Sequence, residues 1–308
     1  MPMRLRQKIQ TLPRPGCLTS GRLILEASTS RSAALASLET TFEIAGIENP
    51  AREARISLCA ASGISPVALI VDPLEPLGSA ASKVQEVAAR RAASEPLSRI
   101  VGKREFWGLS FAITPQVLDP RPETETIVEA VLSILSDRRE DPMRILDLGV
   151  GSGALLCALL TEFGAARGLG VDISADAAEV ARGNLQACGL ASRAEIRVGD
   201  WTSGLEEPFD LIVSNPPYIP TADLAGLPRE VRDFDPSLAL DGGIDGLDAY
   251  RRILPESRRL LAPGSWLLAE LGGTQAADVT AIANQCGFAD VRTYQDLAGA
   301  NRVVAVRS

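Results

Sequence analysis

The stretch Arg144-Ile145-Leu146-Asp147-Leu148-Gly149-Val150-Gly151-Ser152-Gly153 decides the fold of this chain of 308 residues. It predicts a buried strand over residues 144–148 that runs into a glycine-rich turn and then a helix over 153–164. The glycines let the backbone approach a ligand, and the helix N-terminus offers free N–H groups. Asp147, just before the first glycine, favours a cationic ligand group over a pyrophosphate. Such a turn alone is also typical of enzymes that bind NAD or FAD, but no further glycine follows at the dinucleotide spacing.

Alternation of strand and helix continues to the end of the chain. The pattern predicts further strands over residues 168–172, 194–198, 209–214, 265–270, 290–295 and 302–307, and helices over 175–188, 246–261 and 274–286. Because the strands are nearly continuous apolar runs, they predict a doubly wound α/β sheet with helices on both faces. The last two strands are separated only by residues 296–301, so we expect them to be antiparallel.

Two more strand ends carry side chains suited to a ligand. Asp172 lies about 20 residues past the glycine loop, where an acidic side chain can bind both hydroxyls of a ribose. Its alternative role is to cap the next helix, which Ser174 could also do. Asp200 and Trp201 end the following strand, where a carboxylate and an indole can bond and cover an adenine ring. The alternative for Trp201 is a place in the hydrophobic core.

The tetrapeptide Asn215-Pro216-Pro217-Tyr218 follows the apolar run 209–214. Its prolines cannot continue a sheet ladder because neither has an N–H to donate. The strand must therefore end at Ser214, and Asn215 lies on a rigid turn at the edge where ligands bind in open α/β sheets. The side-chain amide, backbone carbonyls and aromatic ring of this turn suit an incoming NH2 group. The alternative is a turn that only terminates the strand.

The chain before this sheet has a different pattern. Residues 32–102 predict a small helical domain, 103–115 a β-hairpin linker that turns near Gly108, and 116–308 the α/β domain. Residues 1–31 hold six basic side chains against one acidic one. We expect a disordered extension there, and the alternative is an organellar transit peptide.

Composition narrows the chemistry. The chain has no histidine, which removes a Ser-His-Asp triad, imidazole acid–base catalysis and the commonest metal ligand, so we expect no metal. The net charge of −8 argues against broad binding to nucleic acid. No apolar run approaches the roughly 18 residues of a membrane span. Five scattered cysteines without a Cys-x-x-Cys pair favour reduced thiols in the cytoplasm.

Together these motifs resemble the class I S-adenosylmethionine-dependent methyltransferases that act on NH2 groups, and more narrowly the release factor N5-glutamine methyltransferases. The resemblance covers about residues 33–307. It is carried by the glycine loop, Val171-Asp172, Asp200-Trp201, the turn 215–218 and further stretches at 95–97, 105–108, 120–125, 236–247 and 296–304. The segment Pro120-Arg121-Pro122-Glu123-Thr124-Glu125 points to the release factor enzyme rather than to its relative that methylates a ribosomal protein. Two residues depart from the family pattern: Val150 stands in place of Thr, and Asp119 in place of an apolar residue.

The resemblance implies a Rossmann-like sheet with an antiparallel last strand, preceded by a helical domain that binds the substrate. It implies S-adenosylmethionine as cofactor, with S-adenosylhomocysteine as product, and the glutamine of the Gly-Gly-Gln motif of release factors as methyl acceptor. We expect a cytoplasmic monomer, or an organellar matrix protein if residues 1–31 are a transit peptide. The implied cofactor residues are Asp147, Gly149, Val150, Gly151, Ser152, Gly153, Asp172, Trp201 and Asn215. Asn215, Pro216 and Tyr218 are the implied catalytic residues, and they bind the substrate together with Pro217.

Three other functions compete with this interpretation. An adenine N6-methyltransferase of nucleic acids uses a similar turn but needs a basic groove, whereas 39 acidic residues outnumber 31 basic ones here. A non-catalytic module that binds S-adenosylmethionine or the ribosome would not need an intact Asn215 turn. An NAD oxidoreductase lacks a candidate acid for hydride transfer.

Overall fold

A computed structural model describes residues 23–288 and 290–308. The chain forms two compact units that meet in sequence between Val101 and Gly102. The first unit contains five helices among its described residues: α1 (Arg31–Ile44), α2 (Pro50–Ser62), α3 (Pro66–Val71), α4 (Ala81–Ala92) and α5 (Leu97–Val101). These helices agree with the helical pattern predicted for residues 32–102. Fully buried side chains from α1, α2 and α4 build its core, among them Leu38, Phe42, Leu58 and Val84.

The helical unit begins earlier in the sequence than predicted. Residues 1–22 of the predicted extension lie outside the described residues. Leu25, however, is buried in the helical core, and the Gln85 side chain donates to the Leu23 carbonyl at 3.0 Å. Ser30 caps α1 by accepting from the Ala33 N–H. The basic composition of residues 1–31 hid these contacts, because a single buried leucine has no periodicity to reveal it.

The second unit contains the remaining elements, which are β1 (Lys103–Phe106), β2 (Leu109–Ala112), α6 (Glu125–Ile134), β3 (Arg144–Leu148), α7 (Ala154–Glu162), β4 (Arg167–Asp172), α8 (Ala175–Ala187), β5 (Ala194–Val198), β6 (Phe209–Ser214), α9 (Arg229–Arg232), α10 (Asp248–Arg258), β7 (Leu261–Glu270), α11 (Ala276–Gln285), β8 (Asp290–Gln295) and β9 (Asn301–Arg307). All seven predicted strands and four predicted helices of the sheet domain are confirmed. Helix α6 was not predicted.

Seven strands form one sheet in the order β5-β4-β3-β6-β7-β9-β8. β3 to β7 pair in parallel, and β9 pairs antiparallel with both β7 and β8. Alternate residues point to opposite faces: Ile145 belongs to the core beneath α6, α7 and α8, and Leu146 to the core beneath α10 and α11. The structure thus confirms the doubly wound sheet with an antiparallel end.

The sheet has its topological switch point between β3 and β6. The chain leaves β3 toward β4 and β5, then returns to place β6 on the other side of β3. Crevices at such points bind ligands outside the carboxyl ends of the strands. Leu148 pairs with Ser214 there, and the Ser214 hydroxyl donates to the Leu148 carbonyl at 2.7 Å. The glycine loop and the Asn215 turn therefore start side by side.

The predicted linker is part of the second unit rather than a spacer. β1 and β2 form a hairpin, and Phe106 and Phe111 are buried in the core beneath α6 to α8. Trp107 and Gly108 both have positive φ, at 50° and 70°, the geometry of the tight turn that suits a hairpin. Two hydrogen bonds hold the strained Trp107: its backbone N–H donates to Glu125 and its indole to Glu162.

Candidate active site

A cavity of about 360 Å³ lies at the carboxyl ends of β3 to β6. Its lining includes most of the predicted site residues: Asp147, Gly149, Val150, Gly151, Ser152, Asp172, Trp201, Asn215 and Pro217. Gly153, the N-cap residue of helix α7, and Pro216 and Tyr218 are not among the lining residues. The structure therefore brings the glycine loop and the Asn215 turn to one cavity.

The glycine loop takes a backbone path that side chains disfavour. Gly149 and Gly151 have φ of 74° and 52°, in the left-handed region. The N–H groups of Gly149 and Val150 both donate to the Val171 carbonyl, which ties the loop to β4. Val150, where the family pattern has Thr, is itself buried. Its side chain occupies the space beside Gly170, where an added Cβ would come within 2.7 Å of it.

Asp147 is the most unusual charged group of the cavity. It is 1% exposed, and its Oδ2 has no hydrogen-bond partner among the described residues. Burial, reinforced by the charge of Asp172, raises the pKa of Asp147 to about 8, although the Leu156 backbone N–H lowers it in part. A cationic ligand group would supply the missing partner and restore the carboxylate.

Asp172 connects the glycine loop to β4. Its Oδ2 accepts from the Gly151 N–H at 2.8 Å and its Oδ1 from the Ser174 N–H at 2.9 Å. Ser174, not Asp172, caps helix α8 by accepting from the Ala177 N–H. The alternative capping role therefore belongs to Ser174. Each Asp172 oxygen keeps a second lone pair for a ligand hydroxyl.

Trp201 covers the glycine loop. Its φ is 51°, an uncommon value for a bulky residue, and its indole lies 3.5 Å from where a Cβ on Gly149 would be. It is half-buried, lining the cavity while also touching the core. The neighbouring Asp200 also lines the cavity, and each of its oxygens accepts from Arg252 at 3.0 Å.

The Asn215 turn is held by two residues to which the sequence assigned no role. The Asn215 Nδ2 donates to the Thr124 Oγ1 at 3.1 Å, and the Thr124 hydroxyl donates to the Glu270 Oε2 at 2.6 Å. The Tyr218 hydroxyl donates to the Glu270 Oε1 at 3.2 Å. Burial and the nearby Glu270 charge raise the pKa of Tyr218, so this hydroxyl stays protonated. The sequence does carry a signal that could have identified Glu270. It is the last residue of an apolar strand, as Asp172 is of β4, and Asp147 is the last but one of β3.

Two loop segments joined by an ion pair line part of the cavity. Arg121 binds the buried side chain of Asp235 at 2.5 Å. Pro120 and Thr124 line the cavity from one segment, and residues 236, 238 and 239 line it from the other. Asp119, the second departure from the family pattern, is buried, with its carboxylate 3.8 Å from Arg104.

Residues 23–288 and 290–308 contain no group of three or more His, Cys, Asp or Glu side chains that could hold a metal ion. None of the helices described above is both long and apolar enough to cross a membrane.

Comparison with known proteins gives the family. Residues 126–225 match the family model described as a methyltransferase small domain, and residues 33–102 match the PrmC N-terminal domain. A release factor glutamine methyltransferase of Rhodospirillum rubrum is 47% identical over 86% of this chain and 81% of its own length. Proteins of the same name from Bradyrhizobium diazoefficiens and Caulobacter vibrioides are each 45% identical, over 85% and 84% of this chain and 90% of their own lengths.

Solved structures agree on the fold alone. The catalytic domain of hMettl16, in complex with MAT2A 3′UTR hairpin 6, superimposes with a TM-score of 0.55 at 18% identity. The match covers 72% of this chain and 81% of that one. At this identity the likeness extends to the methyltransferase sheet and not to the substrate. The near-full-length relatives carry more, and they confirm the predicted resemblance: this chain belongs to the family of release factor glutamine methyltransferases.

Proposed function

We propose that this protein transfers a methyl group from S-adenosylmethionine to the side-chain amide nitrogen of the glutamine in the Gly-Gly-Gln motif of peptide chain release factors. The names of its relatives support the substrate. One observation carries the chemistry: Asn215 lines the cavity beside the glycine loop with its Nδ2 bound to Thr124. No described residue bonds its Oδ1, which is therefore available to accept an N–H from the substrate.

The cavity fits S-adenosylmethionine. The unpartnered Oδ2 of Asp147 suits the ammonium of its methionine part, and Asp172 suits its ribose. Trp201 offers an indole face to the adenine, and the glycine loop 149–153 lets the backbone lie against the ligand. When bound, this cofactor supplies an electrophilic methyl group on a sulfonium. The chain's own residues then have one task, which is to hold the acceptor nitrogen.

A carboxamide nitrogen is a poor nucleophile because its lone pair is delocalised into the carbonyl. The Asn215 Oδ1 and the Pro216 backbone carbonyl would accept its two N–H bonds and orient the lone pair toward the methyl group. Both acceptors also stabilise positive charge that develops on the nitrogen during attack. Pro217 and Tyr218 would wall the slot and exclude water. The methylated nitrogen then loses one of its own protons to water, so catalysis rests on alignment and preorganised dipoles.

The remaining assignments follow from the substrate. We assign contacts with the release factor to the helical domain and to the 219–245 loop, and we expect a monomer with no direct binding to nucleic acid. Free thiols at the four described cysteines support a reducing compartment such as the cytoplasm. An adenine substrate is not favoured, since the relatives that cover most of the chain are named for release factors.

A labelling assay tests the assignment. Recombinant release factor, its Gly-Gly-Gln variant with Gln replaced by Ala, and labelled S-adenosylmethionine are incubated with wild-type protein and with Asn215→Ala. The exposed Asn284→Ala on α11 is the matched control. We expect Asn215→Ala to lower turnover by about 10²-fold or more, with cofactor affinity within a few fold. Equal labelling of both release factors, or near wild-type turnover by Asn215→Ala, would contradict the proposal.

A further inference from the structure

Glu270 is a buried acid at the carboxyl end of β7 that none of the assigned roles uses. It is 1% exposed. It accepts from two residues at once, the Thr124 hydroxyl at 2.6 Å and the Tyr218 hydroxyl at 3.2 Å. Through Thr124 it is also connected to Asn215, whose Nδ2 lies 3.1 Å from the Thr124 Oγ1. A continuous chain of hydrogen bonds therefore runs from the Asn215 amide through Thr124 to Glu270, whose carboxylate does not line the cavity.

The Glu270 carboxylate fixes which groups donate and which accept along this chain of hydrogen bonds. An ionised carboxyl group can only accept, so the single hydroxyl proton of Thr124 must point to Glu270. Only lone pairs of Thr124 then face Asn215, which can meet them only with its NH2 group. The Asn215 Oδ1 is thereby forced to the opposite side, toward the cavity. Without this constraint, the amide could turn over and present N–H groups to the N–H groups of the substrate.

We propose that Glu270 is a positioning residue for methyl transfer, which acts through Thr124 to keep the Asn215 Oδ1 directed at the acceptor glutamine and through Tyr218 to fix the wall of the slot. This inference rests on the proposed function, because it gives the Asn215 side chain an orientation that only a substrate with an NH2 group requires. Glu270 itself touches neither substrate nor cofactor.

Protonation of Glu270 would reverse the chain. A neutral carboxyl group has an O–H that can donate to Thr124, whose own proton is then free to point at the Asn215 Oδ1. Burial raises the pKa of Glu270 to about 7, against the lowering effects of the Thr124 and Tyr218 hydroxyls and of Arg302. The other ionisable groups that face it are Glu123, which raises the pKa further, and Tyr250, whose hydroxyl donates to the Glu270 backbone carbonyl. The orientation of the acceptor amide therefore depends on pH near neutrality.

Four variants separate positioning from a purely structural role. Glu270→Gln keeps the shape but can donate to Thr124, Thr124→Val removes the hydroxyl, and Thr124→Ser keeps it. Thr126→Val is the control, because Thr126 is a buried threonine of the same segment that does not belong to the hydrogen-bond chain from Asn215 to Glu270. We expect kcat with release factor to fall by about 10- to 100-fold in Glu270→Gln and Thr124→Val, the size of loss that follows small misplacement of a reacting group. KM for S-adenosylmethionine stays within about threefold, and Thr124→Ser and Thr126→Val stay near wild type. The double variant Glu270→Gln/Thr124→Val loses no more than the worse single variant, because both break one chain.

The pH profile gives the readout that a structural role would not move. At saturating S-adenosylmethionine, we expect wild-type kcat/KM for release factor to rise between about pH 6 and about pH 8, and the Glu270→Gln profile to lose this rise. Wild-type kcat in Thr124→Val or Glu270→Gln, or a wild-type profile without the rise, overturns the inference while the proposed function stands. A wild-type protein that does not methylate release factor overturns both. Melting temperature and affinity for S-adenosylhomocysteine identify a variant that fails to fold. If Glu270→Gln fails to fold, kcat of Thr124→Val and the pH profile of the wild-type protein decide between the two roles.

Discussion

Binding of the cofactor should release a proton from Asp147. In the ligand-free protein, burial raises the pKa of this carboxyl group to about 8. At about pH 7 roughly nine-tenths of the molecules then carry a neutral Asp147. An ammonium group placed against the unpartnered Oδ2 favours the ionised form. Binding at about pH 7 should therefore release about nine-tenths of a proton.

The affinity should follow the ionised fraction of Asp147. That fraction is about 1% at pH 6 and about a quarter at pH 7.5 for a pKa of about 8. The Kd for S-adenosylhomocysteine should therefore fall by about 20-fold over this range, which corresponds to about 2 kcal/mol. Asp147→Asn should bind more weakly at pH 7.5 and lose the pH dependence, while Glu270→Gln should keep it.

Isothermal titration calorimetry measures both quantities. Titrations of S-adenosylhomocysteine between about pH 6 and about pH 7.5, each in two buffers with different ionisation enthalpies, give the Kd and the number of protons released. A Kd that changes less than about threefold over this range, with no proton released, would refute the assignment of Asp147 to the cationic group.

Three further predictions follow from the same contacts. Because the pKa of Asp147 is raised in the folded state, its contribution to stability is present at low pH and is lost as pH rises toward about 8. In urea denaturation of the ligand-free proteins, the free energy of unfolding of Asp147→Asn should therefore rise relative to that of wild type by up to about 1.4 kcal/mol per pH unit, and a difference that does not change with pH would contradict this. Tyr218→Phe removes a hydrogen bond that lowers the pKa of Glu270, so the rise in kcat/KM should move to higher pH, and an unmoved rise would count against the network. Asn184, which bonds the Ala112 N–H and carbonyl and the Ser152 carbonyl, should cost about 2–5 kcal/mol of unfolding free energy when changed to Ala, whereas a loss below about 0.5 kcal/mol, as expected for exposed Asn284→Ala, would contradict its role.

Local signals in the sequence account for most of the fold. Strands β3 and β6 are short apolar runs bounded by glycine or proline, and their side chains face a core on both sides, so pattern and structure agree. Helix α6 was not predicted, because Pro122 to Glu125 has the composition of a loop, although a proline is common in the first turn of a helix. The insertion of β9 between β7 and β8 could not be predicted, because strand order is set by contacts distant in sequence.

The same limit applies to the site. Asp147 and Asp172 lie at the carboxyl ends of strands, and the glycine loop and Asn215 directly follow strands, so a shared sheet edge predicts that they meet. Thr124 and Glu270 are 146 residues apart, and neither has a neighbour in sequence that predicts their contact. Asp200 pairs with Arg252 from a helix 52 residues later, and no local pattern in the sequence indicates this partner. Pairwise ionic and hydrogen-bonding partners of this kind are fixed by the fold and not by local pattern.

Peptide mass spectrometry shows directly whether the methyl group goes to the side-chain amide nitrogen of one glutamine. Release factor purified from cells that lack this methyltransferase is incubated with the protein and S-adenosylmethionine, digested and fragmented. We expect the peptide with the Gly-Gly-Gln motif to gain the mass of one methylene, with the fragment ions locating it on the glutamine side chain, and Asn215→Ala to abolish nearly all of this gain. A methyl group on any other residue, or an unmodified peptide after incubation with cofactor-bound wild-type protein, would contradict it.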